Sequence, residues 1–466
     1  MMAVPANAAW ATIRELGARL RRREFTCVEL ARFFLDRVEQ KAKPLNAVVT
    51  VTTELALEQA RQADADLQAG RDRGPLHGIP YGAKDLLATR GIPTSWGAAP
   101  FREQMIDDDA TVVRRLREAG AVLVAKLAMV EIAGGLGYDQ ANASFTGPGL
   151  NPFNATAWSG GSSSGAGSAV GVGAVPFAIG SETSGSITTP ATYCGVSGLR
   201  PTYGRVSRHG AMALSWSMDK LGPLARSADD CGLVLAAIAG PDPLDPSASE
   251  RTYSYAAEEP RLPFRLATLK GACDNVQPEV RANYERALQA LQPVATFDEV
   301  DLPELPYGAV TGIIISCEMA AAFEHLVADG RIWEMTAPED RWGAHAAMWI
   351  PAKDYINAQR IRGKIQQALD ALLAPFDALV VPSLATVAGP IDKSFSEYHR
   401  RWGSRELVPA ENAAGIPGLT VPNGFGERGL PTGLKFVGRA FDENRLIAIA
   451  RKYQELTDWH RQHPEG

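Results

Sequence analysis

The stretch TVVRRLREAGAVLVAKL, Thr111 to Leu127, decides the fold class. Val112, Val113 and Leu116 recur at helical spacing among arginines, which predicts an amphipathic helix. Gly120 then stops it, because glycine takes the left-handed conformation that closes a helix at little cost. Ala121 to Leu127 follows as a run of small and branched apolar residues, the pattern of a strand buried on both faces. A helix feeding a buried strand is the repeating unit of an α/β protein.

Toward the N-terminus, AWATIRELGARL and CVELARFFLDRVEQ carry apolar residues at helical spacing, and Thr26 caps the second segment. The first seventy residues read as a helical region packed on the core. Residues 75–90, PLHGIPYGAKDLLATR, break that pattern with Gly and Pro and predict a turn into a short strand. Toward the C-terminus, residues 240–262 are Pro-rich and polar and predict a long surface connection. Beyond them FRLATLKG, PEVRANYERALQALQPV and ATFDEVDLP alternate strand, helix, strand. DALVVPS and GLTVPNGF predict further strands, and ENRLIAIARKYQEL a final helix. No internal repeat is visible.

The 466 residues are enough for one large or two medium domains. Hydrophobic residues at 45% and charged residues at 21% are ordinary for a globular chain. A net charge of −6 gives no electrostatic reason for nucleic acid or an anionic membrane as partner. Arg21, Arg22 and Arg23 read as the solvated face of a helix. No run approaches the roughly 20 apolar residues that span a bilayer, and the N-terminus lacks the pattern of a signal peptide. Cys27, Cys194, Cys231, Cys273 and Cys317 are scattered, with no CxxC pair. They fit neither a disulfide framework nor a zinc site and read as thiols in a reducing compartment, so the expected location is cytoplasmic.

From Thr146 to Gly210 the chain is dense in Gly, Ser and other small residues. Three segments carry the chemistry: GIPYGAKD (78–85), SGGSSSGAGSAVGVG (159–173) and GSETSGSITTPA (180–191). A hydroxyl is a weak nucleophile near neutral pH unless a base takes its proton. None of His77, His209, His325, His345, His399, His460 and His463 stands in a hydrolase-like context. GSSSG (161–165) formally matches a nucleophile elbow centred on Ser163, but no buried strand precedes it. Ser217-Met-Asp-Lys220 matches S-x-x-K, without the companion motifs. The glycines do not form a phosphate-binding loop.

Gly160 to Gly165, then Glu182-Thr183-Ser184-Gly185-Ser186-Ile187 with Pro190, resemble the signature of the amidase signature family. Ser162 and Ser186 stand 24 positions apart (186 − 162), as in that family. Lys84 in AKD, GLRPTYGRVSRHG (198–210), PAENAAGIPGLTVPNGF and GLPTGLKFVGRAFDE match further family blocks, so the resemblance runs from about Leu76 to the last helix. It implies one large α/β domain: a central mixed β-sheet covered by helices on both faces, with residues 71–466 as the catalytic part. It also implies roles. Ser186 resembles the nucleophile, Ser162 the bridging serine on a cis peptide, and Lys84 the base. The backbone N–H groups of Thr183, Ser184, Gly185 and Ser186 resemble the oxyanion hole, where each donor is worth roughly 3–4 kcal/mol. The implied chemistry uses no cofactor or metal. Its partner is a small-molecule amide, and a homodimer is the assembly allowed for.

Elementary physics is consistent with those roles. A lysine, with an ordinary pKa near 10.4, accepts a proton at neutral pH only when desolvated. Asp85 would oppose this if it faced the same way, but neighbouring side chains of an extended segment point oppositely. Two departures stand out. The family usually has Gly or Ala at Ser184, whose side chain would narrow the pocket. It often has Arg at Thr188, so a usual partner of Glu182 is absent and what orients that carboxylate is left open; Glu182 itself reads as a loop-bracing acceptor. The expected activity is hydrolysis of a carboxamide through an acyl-enzyme on Ser186. The alternative is an A-type subunit of a tRNA-dependent amidotransferase, against which AAAFEHLVADGRIWEMTAPEDRWGAH does not resemble that subunit's glutamine-binding region. Trp333, Trp342, Trp349 and Tyr355 are candidates either for an apolar acyl pocket or for ordinary packing.

Overall fold

Helix Thr111–Glu118 ends before Gly120, whose φ is 78°, and Val122–Leu127 follows as a strand buried at every position. The computed structural model describes residues 4–255, 260–399, 402–403 and 406–464. Its strands are β1 (Val48–Val51), β2 (Pro80–Lys84), β3 (Val122–Leu127), β4 (Phe177–Glu182), β5 (Ser197–Arg200) and β6 (Lys220–Ala225), then β7 (Phe264–Leu269), β8 (Ala295–Val300), β9 (Ala378–Pro382), β10 (Gly418–Phe425) and β11 (Pro431–Val437).

Among the described residues these eleven strands form one mixed sheet in the order β1-β3-β2-β4-β6-β5-β10-β11-β9-β7-β8. Strand β2 runs parallel to both β3 and β4, and β7 runs parallel to β8 and β9; the remaining pairs are antiparallel. Successive residues of a strand face opposite sides of its sheet. Every residue of β2 through β6, β9 and β11 is buried, so both faces of the sheet are covered. The fold is α/β, as the alternation of elements predicts.

Thr12 and Thr26 each close a capping box with a glutamate three residues on, and helices Ile13–Arg21 and Cys27–Arg37 follow. Ile13, Leu16, Leu30 and Phe34 share one core with Val122, Leu123 and Phe177 of the sheet. The first seventy residues are not helical throughout, however. Val48–Val51 forms the edge strand β1 against β3. Four β-branched residues in a row suit a pleated edge better than a helix.

Helix Tyr307–Ala328 is, among the described residues, the one helix long and apolar enough on average to cross a membrane, yet Glu318, Glu324 and His325 interrupt it, so it is no unbroken apolar run. One stripe of its apolar residues faces the interior of the fold. Val310, Ile314, Met319 and Phe323 are buried. Glu318 in its middle accepts hydrogen bonds from Ser215, from the backbone of Ser217 at 3.0 Å and from Tyr355 at 2.8 Å. The connection over 240–262 is irregular where described; residues 256–259 of it lie outside the described residues.

Candidate active site

Two neighbouring parallel strands deliver the chemistry at their C-terminal ends, β2 finishing on Lys84 and β4 on Glu182. Lys84 is fully buried, and its Nζ donates to Ser162 Oγ at 2.7 Å and to Ser181 Oγ at 2.9 Å. Ser162 follows a cis Gly161–Ser162 peptide, and its carbonyl accepts from Val130 N at 3.1 Å. Helix Ser164–Gly171 starts immediately afterwards. Its small residues have a steric cause: a Cβ on Gly165 would sit 2.3 Å from the carbonyl oxygen of Ala47 and 2.6 Å from the amide of Ala128. The helix can therefore lie directly on backbone.

Ser186 sits in the turn between β4 and helix Thr188–Tyr193. Ser163 N donates to the Ser186 carbonyl at 3.3 Å, which sets the two serine-bearing segments side by side. Gly185 has φ 88°, a conformation that glycine takes without strain. Among the described residues no protein acceptor takes the backbone N–H groups of Ser184, Gly185 or Ser186. Unpaired backbone donors at a buried turn are uncommon and point to an acceptor from outside the fold. Thr183, Ser184 and Ser186 line a cavity of about 510 Å³ together with Gly161. Ser184, the departure from the family pattern, is thus one of the residues lining the cavity.

Burial brings the Lys84 ammonium down to about 7, against the opposing pull of the more distant Asp219 and Glu182. Asp219 is held by Thr183 Oγ1 at 2.5 Å and by the amides of Leu214 and Ser215, and burial pushes its carboxyl up. Glu182 is an ionised brace. Burial alone would raise it, but Arg200, Lys220 and two amides outweigh that and hold it at about 2. Its Oε2 accepts from Ile187 N at 2.9 Å, Thr188 N at 3.0 Å and Thr188 Oγ1 at 3.3 Å. Its Oε1 accepts from Arg200 Nη1 at 3.0 Å and Asn412 Nδ2 at 3.1 Å. Arg200 also pairs with Glu411, which takes Lys435 Nζ at 2.6 Å.

This network supplies what orients Glu182, which the sequence left open. The cation comes instead from Arg200 on β5, and Thr188 is itself a donor. No local signal could have assigned Arg200, since only the sheet brings β5 near the end of β4. Asp85 points away from Lys84, as alternation predicts. It pairs with Lys126 at 3.0 Å and accepts from Ser95. Ser163 is no nucleophile elbow: its Oγ donates to the Ser181 carbonyl at 3.2 Å and caps nothing. Lys220 of the S-x-x-K match is buried, with its Nζ 3.4 Å from the Thr183 carbonyl.

Trp333, Trp342 and Trp349 are exposed at 47%, 66% and 86% and line no part of this cavity, and Tyr355 is engaged with Glu318. The wall is built instead from Tyr138, Trp158, Tyr193, Phe395 and Trp402, together with His399. His399 is the one histidine there among the described residues. Its Nδ1 lies 3.3 Å from Thr386 Oγ1, and burial holds its pKa down. Among the described residues no three His, Cys, Asp or Glu side chains could hold a metal ion.

Comparison with known proteins bears on the same residues. The family described as Amidase matches positions 29–447, a span that includes every site residue above. The A-type subunit of the glutamyl-tRNA(Gln) amidotransferase of Azoarcus sp. is 36% identical over 98% of this chain and 99% of its own. Its counterpart in Moorella thermoacetica is 35% identical over 97% and 98%. The solved peptide amidase of Stenotrophomonas maltophilia superposes with a TM-score of 0.86 at 31% identity, covering 97% of this chain and 98% of that one. The chain belongs to the amidase family.

Proposed function

We propose that this enzyme hydrolyses a carboxamide through an acyl-enzyme on Ser186, with Ser162 and Lys84 moving the proton. The observation that carries the reading is the 2.7 Å contact between Ser162 Oγ and a fully buried lysine brought down to about 7. At working pH a large share of Lys84 is neutral and has a lone pair to offer. Ser186 Oγ attacks the carbonyl carbon while its proton passes to Ser162, whose own proton passes to Lys84. The oxygen that becomes negative meets the free N–H groups of the 183–186 turn. The C–N bond then breaks, and the protonated Lys84 returns its proton through Ser162 to the leaving nitrogen. Water repeats the sequence on the ester and frees the acid. The ionised Glu182 takes no proton in this scheme; it holds the amides of Ile187 and Thr188, and so the turn itself.

The test is covalent. A fluorophosphonate labels Ser186 in the wild-type protein, and hydroxylamine diverts part of the acyl group to hydroxamate. Labelling at Ser163 instead refutes the assignment. The five free thiols support a reducing, cytoplasmic setting.

A second reading has a specific observation behind it: relatives at 35% and 36% identity are amidotransferase A-type subunits. Under that reading the chain is idle alone and works on glutamine with companion subunits. We favour the stand-alone enzyme, for which the peptide amidase likeness speaks. The purified chain is then expected to hydrolyse a small amide with no response to tRNA. Activity that stays at background until companion subunits are added would establish the second reading.

A further inference from the structure

The walls of the cavity say which acyl groups fit, on the reading that Ser186 is the nucleophile. Trp158 and Phe395 stack with centroids 4.4 Å apart, and Tyr138 meets both edge-on, at 6.2 and 5.6 Å. Tyr193 joins the group 6.4 Å from Trp158. Leu214 and Ile315 add aliphatic surface from two other elements. Among the described residues the polar side chains that line it include the neutral hydroxyls of Thr183, Ser184, Ser186, Thr189 and Thr386, and His399, whose pKa burial lowers. Among the described residues no carboxylate lines the cavity. A volume of about 510 Å³ accommodates a ring and several further heavy atoms.

A free amino acid, or its amide, enters with an ammonium next to the acyl carbon. That charge loses its hydration on entry and meets no carboxylate among the described lining residues. An aromatic ring loses little and gains offset or edge-on contacts with a wall already arranged for them. We infer that this cavity takes aromatic carboxamides bearing no free ammonium, aryl or arylalkyl acyl groups or N-blocked aromatic amino-acid amides, and excludes free glutamine. Tyr138, Trp158 and Phe395 are the specificity-determining residues.

The experiment compares kcat/KM of the purified full chain for N-acetylphenylalaninamide, N-acetylalaninamide, phenylalaninamide and glutamine, with fluorophosphonate labelling of Ser186 run in parallel. The blocked aromatic amide is expected to exceed both free-ammonium substrates and N-acetylalaninamide by about a hundredfold or more. Its advantage over phenylalaninamide should shrink as pH rises past the α-amino pKa of about 7.7–8.0, since the ratio cancels any titration of the enzyme itself. Phe395→Leu, which keeps an apolar side chain, should cut the aromatic preference about tenfold. If Ser186 is labelled but glutamine or phenylalaninamide is turned over as well as the blocked amide, the substrate class is wrong and the nucleophile stands. A pH-independent ratio also overturns it. If Ser186 is not labelled and no amide is turned over, the nucleophile assignment falls, and this inference with it.

Discussion

Lys84 and Lys126 stand on neighbouring strands one residue apart in register, both fully buried, and they meet opposite surroundings. Lys126 faces Asp85 at 3.0 Å and Thr94 Oγ1 at 2.9 Å, an ion pair shut inside the fold. Lys84 faces two hydroxyls, and among the described residues no carboxylate lies within ion-pair distance of it. Burial pulls both lysines down, but only for Lys126 does a contacting carboxylate push back. Burial alone does not make a base. On the proposed mechanism a buried lysine serves as one where the fold offers it hydrogen-bond partners and withholds a counter-ion.

The largest expected effect sharpens that contrast. Lys84→Ala should lower kcat by about 10²–10⁴-fold, the usual worth of a positioned base, with the fold intact. Lys84→Arg should not rescue it, because arginine keeps its proton. In the wild type, kcat/KM should rise with pH through a single ionisation near 7. Near-normal turnover in Lys84→Ala would break the comparison outright.

Lys126→Met addresses the other lysine. It strands Asp85 as an uncompensated buried charge, which should cost about 3–5 kcal/mol in urea unfolding. The protein that remains folded should turn over amide normally. A loss of kcat with unchanged stability would mean that Lys126 has catalytic work after all.

A smaller effect has the opposite sign. The folded pKa of Lys84 lies below its unfolded value of about 10.4, so its charge opposes folding fully below pH 7. That penalty fades as pH rises from 7 toward the unfolded value. Lys84→Met should therefore be more stable than wild type by about 2–4 kcal/mol at pH 6, with the gain vanishing near pH 10. A gain that grew with pH would contradict a depressed lysine.

The smallest effect lies in the ionic brace behind the turn. Thr188→Val removes one of three donors to Glu182 Oε2 and should cost about 1 kcal/mol, measured as a shift in the urea midpoint. A much larger loss would show that Thr188 stands in fully for the arginine common at that position, with Arg200 adding little.

Much of the fold was legible because local pattern and burial agree in it. Thr111 to Leu127, the capped helix at Thr26 and the alternation after Phe264 all read directly. Strands β4, β5, β6 and β11 did not. SGLR of β5 is poor in branched apolar residues, and it is a strand because β6 and β10 pair with it on either side. Helix Ser164–Gly171, with three glycines in eight residues, is held by close packing against its own propensity.

Residue type and spacing are properties of the chain as written. The lysine, the two serines and the turn after Glu182 stand out in the sequence because their segments resemble blocks of the amidase signature at family spacing. What those groups become depends on neighbours far away in sequence. Tertiary structure took Lys84 out of water, brought Arg200 to Glu182 across the sheet, and sent the tryptophans of residues 333–349 to the surface while Trp158 and Phe395 came to the cavity. Desolvation, ion pairing and cavity shape are sums over every surrounding atom, and no local stretch of sequence contains that sum.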